Sequence, residues 1–196
     1  MLSSMVVGRR MTAQQRRGQI LDVTHEIVAA EGFHAATPNR IAQQAGVNRS
    51  LLYQLFGDPA GLFVALIDRE AARANAQFID VITGLADEYG ESRLVRGFDG
   101  VLHAVDTQPA TWRLFLFPPQ GAPPELHKRL ARAQAAVQGF LADELLRMYP
   151  DLADPDYTAR MVLAAARELL QLRLADPQGA SHERLRAAAR SLAIRG

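Results

Sequence analysis

The chain has no cysteine in its 196 residues. That absence excludes disulfides, thiolate zinc sites and cysteine nucleophiles. No apolar run approaches the length of a membrane span, and the opening MLSSMVVGRRM lacks the apolar core of a signal peptide. A cytoplasmic protein without a membrane partner is expected. Lysine is nearly absent, with Lys128 alone among 22 basic residues, and Trp112 is the single tryptophan. The five histidines are scattered. There is no Ser-His-Asp pattern, glycine-rich phosphate loop or metal motif, so neither an enzyme nor a cofactor is expected. The nearest approach to a metal site is Asp99, His103 and Asp106, spaced by four and three residues. Such a trio can hold a divalent ion, but it suits a polar helix face better, because metal sites draw further ligands from elsewhere.

The most informative stretch is TPNRIAQQAGVNRSLLYQLF, residues 37–56. Thr37 suits a helix N-cap and Pro38 the first helical position, where no N–H is needed. Ile41, Ala42 and Ala45 give that helix an apolar face, and Gly46 supplies a left-handed turn. Asn48 caps a second helix, whose Leu52 and Phe56 point to the core. Arg49, Ser50, Tyr53 and Gln54 remain outside, and those side chains bond phosphates and base edges as a recognition helix in a major groove must. An αα-corner that touches no nucleic acid has the same local grammar. Charge adds support to the first reading. Residues 1–56 carry six arginines against three acids, a net of +3, whereas residues 57–196 carry a net of −2.

Residues 20–56 as a whole resemble the DNA-binding domain of TetR/AcrR-type transcriptional regulators. The marks are Gly32-Phe33 after a first helix, then Thr37, Ile41-Ala42, Ala45-Gly46-Val47, and Leu52-Tyr53 with Phe56. Ser50 fits the small residue usual at its place. Leu51 stands where Thr or Ala is common, and Leu55 and Pro59 stand where the pattern has His or Tyr and a Lys used on phosphates. The expected DNA contacts are therefore Thr37, Arg40, Asn48, Arg49, Ser50, Tyr53 and Gln54. Arg49 and Gln54 suit base edges, and Thr37, Arg40 and Tyr53 suit phosphates. Arg9 and Arg10 in the N-terminal arm can lie along a groove or be a solvated tail.

The remaining chain reads as helix throughout. Thr12–Glu31 forms a first helix. Asp58-Pro59 starts a long one running to about Leu85, residues 91–107 follow, and Pro109 begins a short one. PPQGAPP (118–124) is a loop. Further helices span 125–149, about 155–175, and 182 to about 195 after a Ser181 cap. The expected fold is all-α with about nine helices, divided into an arm and head (1–56) and a body (57–196).

The resemblance implies a ligand pocket in the body. The mid-chain aromatics Phe78, Phe98, Trp112 and Phe115 are the expected lining, although each can equally be ordinary core packing. It also implies a homodimer through the last two helices. Met161, Leu163, Ala164, Ala165, Leu169, Leu170 and Leu172 in one and Leu185, Ala188, Ala189, Leu192 and Ile194 in the other give them apolar faces, which can also bury within one subunit. The expected function is a dimeric regulator on a double-stranded DNA operator, a repressor released by an unknown small apolar or amphipathic effector. A helical ligand-binding or interaction protein that has lost sequence-specific DNA binding is the alternative.

Overall fold

The computed structural model describes residues 11–119 and 121–193. Within them lie nine α-helices and no strand: α1 (Ala13–Glu31), α2 (Pro38–Gln44), α3 (Arg49–Phe56), α4 (Pro59–Thr83), α5 (Gly90–Thr107), α6 (Pro109–Leu116), α7 (Pro124–Met148), α8 (Pro155–Ala175) and α9 (His182–Ala193). Arg9, Arg10 and Ile194, and the side chain of Leu192, lie outside the described residues.

Proline sets the boundaries. Five of the ten prolines occupy the first position of a helix, in α2, α4, α6, α7 and α8. The side chains of Thr12, Thr37, Asn48, Asp58 and Asp154 accept backbone N–H bonds at the starts of α1, α2, α3, α4 and α8. At Thr12 the bond is reciprocal, because Gln15 reaches back to the Thr12 N–H. The sequence periodicity did not anticipate one short element, a 3₁₀ turn over Phe33–Ala35. It follows Gly32, whose φ of 88° ends α1 and would strain any side-chain-bearing residue.

Three apolar clusters hold the chain together. The first lies under the head: Ile20, Ile27 and Val28 of α1 meet Phe33, Ile41 and Leu52. Leu62, Leu66 and Ile67 of α4, Leu114 of α6 and Leu126 of α7 complete it, so the core of the head extends into the body. The Phe33 and Phe63 rings meet edge to face at 5.1 Å. A second cluster joins Leu102 and Val105 of α5 to Leu116, Leu170, Leu174 and Leu185. A third joins Leu141, Ala142 and Leu145 of α7 to Ala159 of α8. In the body α4 packs on α5 and α7, α8 packs on those same two helices, and α9 lies along α5.

A buried polar knot ties head to body. Glu70, in the middle of α4, is fully buried. Its carboxylate accepts from Arg69 Nε at 2.8 Å, Arg73 Nη1 at 3.0 Å and the Thr111 hydroxyl of α6 at 2.5 Å. Arg69 also reaches α1, donating to Asp22 Oδ1 at 2.7 Å and the Gly18 carbonyl at 3.3 Å. His25 of α1 places Nδ1 3.6 Å from Glu70 and Nε2 3.3 Å from the Ala110 carbonyl. Burial pushes the Glu70 carboxyl up, but the Thr111 hydroxyl and the surrounding positive charges outweigh that and hold it below the ordinary carboxylate value. Such a carboxylate is tolerated only because every neighbour helps satisfy it.

Candidate DNA-binding face and ligand-binding region

The helix-turn-helix is built by local chemistry. The Thr37 hydroxyl accepts the Arg40 N–H at 3.4 Å, and Asn48 Oδ1 accepts the Leu51 N–H at 2.9 Å. Gly46 has a φ of 63°, and the turn closes through Val47 N–H to the Ala42 carbonyl at 2.9 Å. Leu52 of α3 is buried in the first cluster. The opposite face presents Arg49, Ser50, Tyr53 and Gln54, all exposed, with Asn48 at its start.

These side chains are partly pre-ordered. Arg49 Nε and Nη2 donate to the Tyr53 hydroxyl at 3.1 and 2.7 Å, with the guanidinium carbon 5.3 Å from the Tyr53 ring centre. Arg49 Nη1 donates to Asn39 Oδ1 at 3.3 Å, which joins the start of α2 to α3. The Ser50 hydroxyl donates to Asn48 Oδ1 at 2.8 Å. Among the described residues nothing bonds the Gln54 amide, and it projects from an exposed position. Asn39 belongs with this group although its sequence position, one residue after Pro38, reads only as helix start. It becomes visible through the Arg49 bond.

Arg40 is differently placed. Both of its terminal nitrogens donate to Glu31 at the end of α1, at 2.8 and 2.5 Å. That hydrogen bonding lowers the Glu31 carboxyl from its ordinary value. A phosphate therefore competes with Glu31 for Arg40. Leu55 and Pro59 have structural tasks. Leu55 packs against the first cluster, and its carbonyl accepts from Arg17 Nη1 at 2.6 Å. Pro59 starts α4 directly after Asp58, whose Oδ1 accepts the Gly61 N–H at 2.6 Å.

The four aromatics named as pocket lining are distributed over different surroundings. Phe98 and Trp112 pack against the second cluster, and Phe115 packs against the first, under the head. Phe78 meets Phe140 edge to face at 6.3 Å. Trp112 Nε1 donates to Gln77 Oε1 at 2.9 Å, and Gln77 Nε2 donates to the Thr107 hydroxyl at 3.0 Å. Gln77 and Phe78 thus sit where α4 faces α5, α6 and α7. Val81 of α4, Val95 of α5, Val137 of α7 and Ala166 of α8 are half-buried and belong to neither body cluster.

The acidic positions of α5 are engaged by arginine. Asp106 accepts from Arg173 Nε and Nη2 at 2.8 and 2.9 Å and lies 2.5 Å from His182 Nε2, and Asp99 accepts from Arg186 at 2.6 Å. Those pairs tie α5 to α8 and α9. No group of three potential metal ligands occurs among the described residues. No single described helix is long and apolar enough to cross a membrane.

Residues 20–66 match the family described as bacterial regulatory proteins, tetR family. The chain is 39% identical over 62 residues to the HTH-type transcriptional activator FasR of Mycolicibacterium smegmatis, a match covering 32% of this chain and 28% of that one. The HTH-type transcriptional regulator UidR of Escherichia coli is 33% identical over 73 residues, 37% of each chain. The chain thus matches well under half the length of these curated relatives. Across nearly the whole chain the fold is that of a TetR-like transcriptional regulator from Rhodococcus sp. RHA1, with a TM-score of 0.75, 22% identity and coverage of 95% of this chain and 98% of that one. It is also the fold of the transcriptional regulator FadR from Bacillus subtilis, whose structure is a complex with stearoyl-CoA, with a TM-score of 0.70, 15% identity and coverage of 91% and 98%. The helix-turn-helix head is thus matched in sequence by the tetR-family model over residues 20–66, and the helical body shares the fold of these solved structures.

Proposed function

We propose that this protein is a dimeric transcriptional regulator that binds a double-stranded DNA operator and acts as a repressor released by a small apolar or amphipathic effector. The observation that carries the reading is the exposed row Arg49, Ser50, Tyr53 and Gln54 on a helix whose other side is anchored in the core. Thr37, Arg40 and Tyr53 contact phosphates, Arg49 and Gln54 read base edges, and Asn48 and Ser50 hold the start of the helix. The test is a mobility shift on a duplex selected by the protein from a random library, at stated salt. Gln54→Ala is expected to cost about 1–3 kcal/mol at one base pair and to relax preference there. Equal affinity of both proteins for every duplex would remove Gln54 from base recognition.

Glu31→Gln is expected to tighten DNA binding, because it releases Arg40 to the phosphate backbone. One added phosphate contact steepens the slope of log affinity against log salt by about 0.9 on non-specific duplex. An unchanged slope would show that Arg40 stays off the DNA.

The effector site is proposed between α4, α5, α7 and α8, around Phe78, with Trp112 and Phe98 on one side and Phe115 toward the head. The Phe78–Phe140 contact between α4 and α7, and the half-buried apolar residues that these four helices hold outside the body clusters, support this placement. A fatty-acyl compound is a reasoned first probe, since the FadR of similar fold is a stearoyl-CoA complex. Binding there disturbs Gln77 and hence the indole of Trp112, so a change in tryptophan fluorescence is expected that Phe78→Ala weakens. An acyl-CoA series that leaves the fluorescence and the melting temperature unchanged would exclude this ligand class. The effector weakens operator binding if it favours a spacing of the heads that misfits the half-sites. FasR is a transcriptional activator, so an effector that tightens operator binding is the outcome that reverses the proposed sign.

A further inference from the structure

We propose that a second small-molecule site, for an amphipathic carboxylate, lies at the seam between head and body. A cleft of about 420 Å³ opens there, between the C-terminal half of α1 and α6. That volume is within the range that holds a small organic ligand. Val28 and Leu114 form its apolar walls, and Phe117 stands at its edge with 39% of its surface exposed.

The charged groups around the cleft select the ligand. Glu31 is the acid on its rim, and Arg40 occupies both of its oxygens. His25 forms part of the lining but is turned to Glu70 and the Ala110 carbonyl. Arg113 and His34 remain. His34 lies close enough to Glu31 to help lower its carboxyl, whereas Arg113 forms no ion pair among the described residues and uses only one nitrogen, donating to the Leu174 carbonyl at 2.7 Å. A planar guanidinium with donors to spare beside apolar walls fits a carboxylate carried on a ring or short alkyl chain. Arg113 is itself exposed, so what a carboxylate gains over a neutral ligand is the charge-assisted pair of N–H bonds that the fork offers. One wall belongs to the head and the other to the body, so an occupant fixes the spacing of α1 and α6. Its effect on DNA rests on the regulator reading above, whereas its binding does not.

The experiment is calorimetry on the full chain with benzoate, cinnamate and octanoate, each against its neutral amide, with folding of every variant checked by circular dichroism. At least one acid is expected to bind, with its amide roughly tenfold weaker or worse. Arg113→Gln should cost roughly tenfold, and Arg113→Lys should lose less by keeping the charge without the fork. Ala29→Phe fills the cleft from an exposed position on α1 and should abolish binding, which keeps the site testable if the Arg113 variants fail to fold. Phe78→Ala, in the proposed effector region, should leave acid binding unchanged. The proposal is overturned if no acid binds at millimolar concentration, or if binding survives both Arg113→Gln and Ala29→Phe. Loss of acid binding in Phe78→Ala would also overturn it and assign the ligand to the body site instead.

Discussion

Glu70→Ala is expected to lower the stability of the protein by about 3–5 kcal/mol, the usual cost of removing one partner from a buried charge network. It leaves Arg69, largely buried, with only the exposed Asp22 as counter-charge, and leaves the buried Thr111 hydroxyl without an acceptor. For a chain of this length that is a fall in melting temperature of roughly 10 °C or more. Thermal unfolding followed by circular dichroism gives the answer, and a loss below about 1 kcal/mol would show that the arginines find water instead. The same knot sets the acid response. Burial holds the His25 ring below its ordinary value of 6.5, with Glu70 and the Ala110 carbonyl only partly opposing. As pH falls below that value the unfolded chain takes up a proton that the folded chain refuses, so stability declines. A further decline follows at lower pH, where Glu70, Glu31 and Asp106, all held below their ordinary values, are finally protonated. His25→Asn should remove the first decline and keep the second.

The second large effect concerns assembly. The apolar faces of the last two helices divide in the structure. Leu170, Leu174 and Leu185 are buried within the chain, and Leu169 packs against the same cluster. Met161 and Leu172 remain 65% and 45% exposed on α8, with Tyr157 beside them at 67%. If α8 carries the proposed dimer, a Met161→Arg, Leu172→Arg double variant places four unpaired charges in one apolar interface, because each substitution occurs twice about a two-fold axis. Monomeric mass by light scattering and loss of operator binding are expected, with the helical content of each chain unchanged. A double variant that stays dimeric would place the interface elsewhere. Leu169→Arg is the poorer probe, since it would damage the chain's own core.

The head was legible in the sequence because its signals are local. Thr37, Gly46 and Asn48 each act within four residues of themselves, so their spacing alone specifies two helices and a turn. The proline starts made the helices of the body equally readable. The seam was not readable in the same way. In α4 the run Asp68-Arg69-Glu70 looks like a solvated charge patch. Only the fold brings Thr111, forty-one positions away, onto Glu70 and lays Asp22 and His25 beside the arginines. The aromatics show the other limit. Helical spacing says which residues turn inward, but a side chain leaving α6 can meet α4, α5, α8 or the head. Trp112 and Phe115, three residues apart on one short helix, end in different clusters.

Helix α4 has a mechanical consequence. Its 25 residues form one uninterrupted rod, roughly 37 Å long at 1.5 Å per residue. The knot at Glu70 grips it just short of the middle, leaving about 16 Å between that grip and the end that carries the head. Glu70 is therefore a fulcrum, and α4 is a lever. A tilt of about 4° there moves the head end by roughly 1 Å. In the proposed two-fold pair both ends would move, so the two α3 helices would shift relative to each other by about twice that. A small change beside the fulcrum becomes a misfit the size of a hydrogen bond's tolerance at the far end, and a lever with no joint along its length loses none of it to bending.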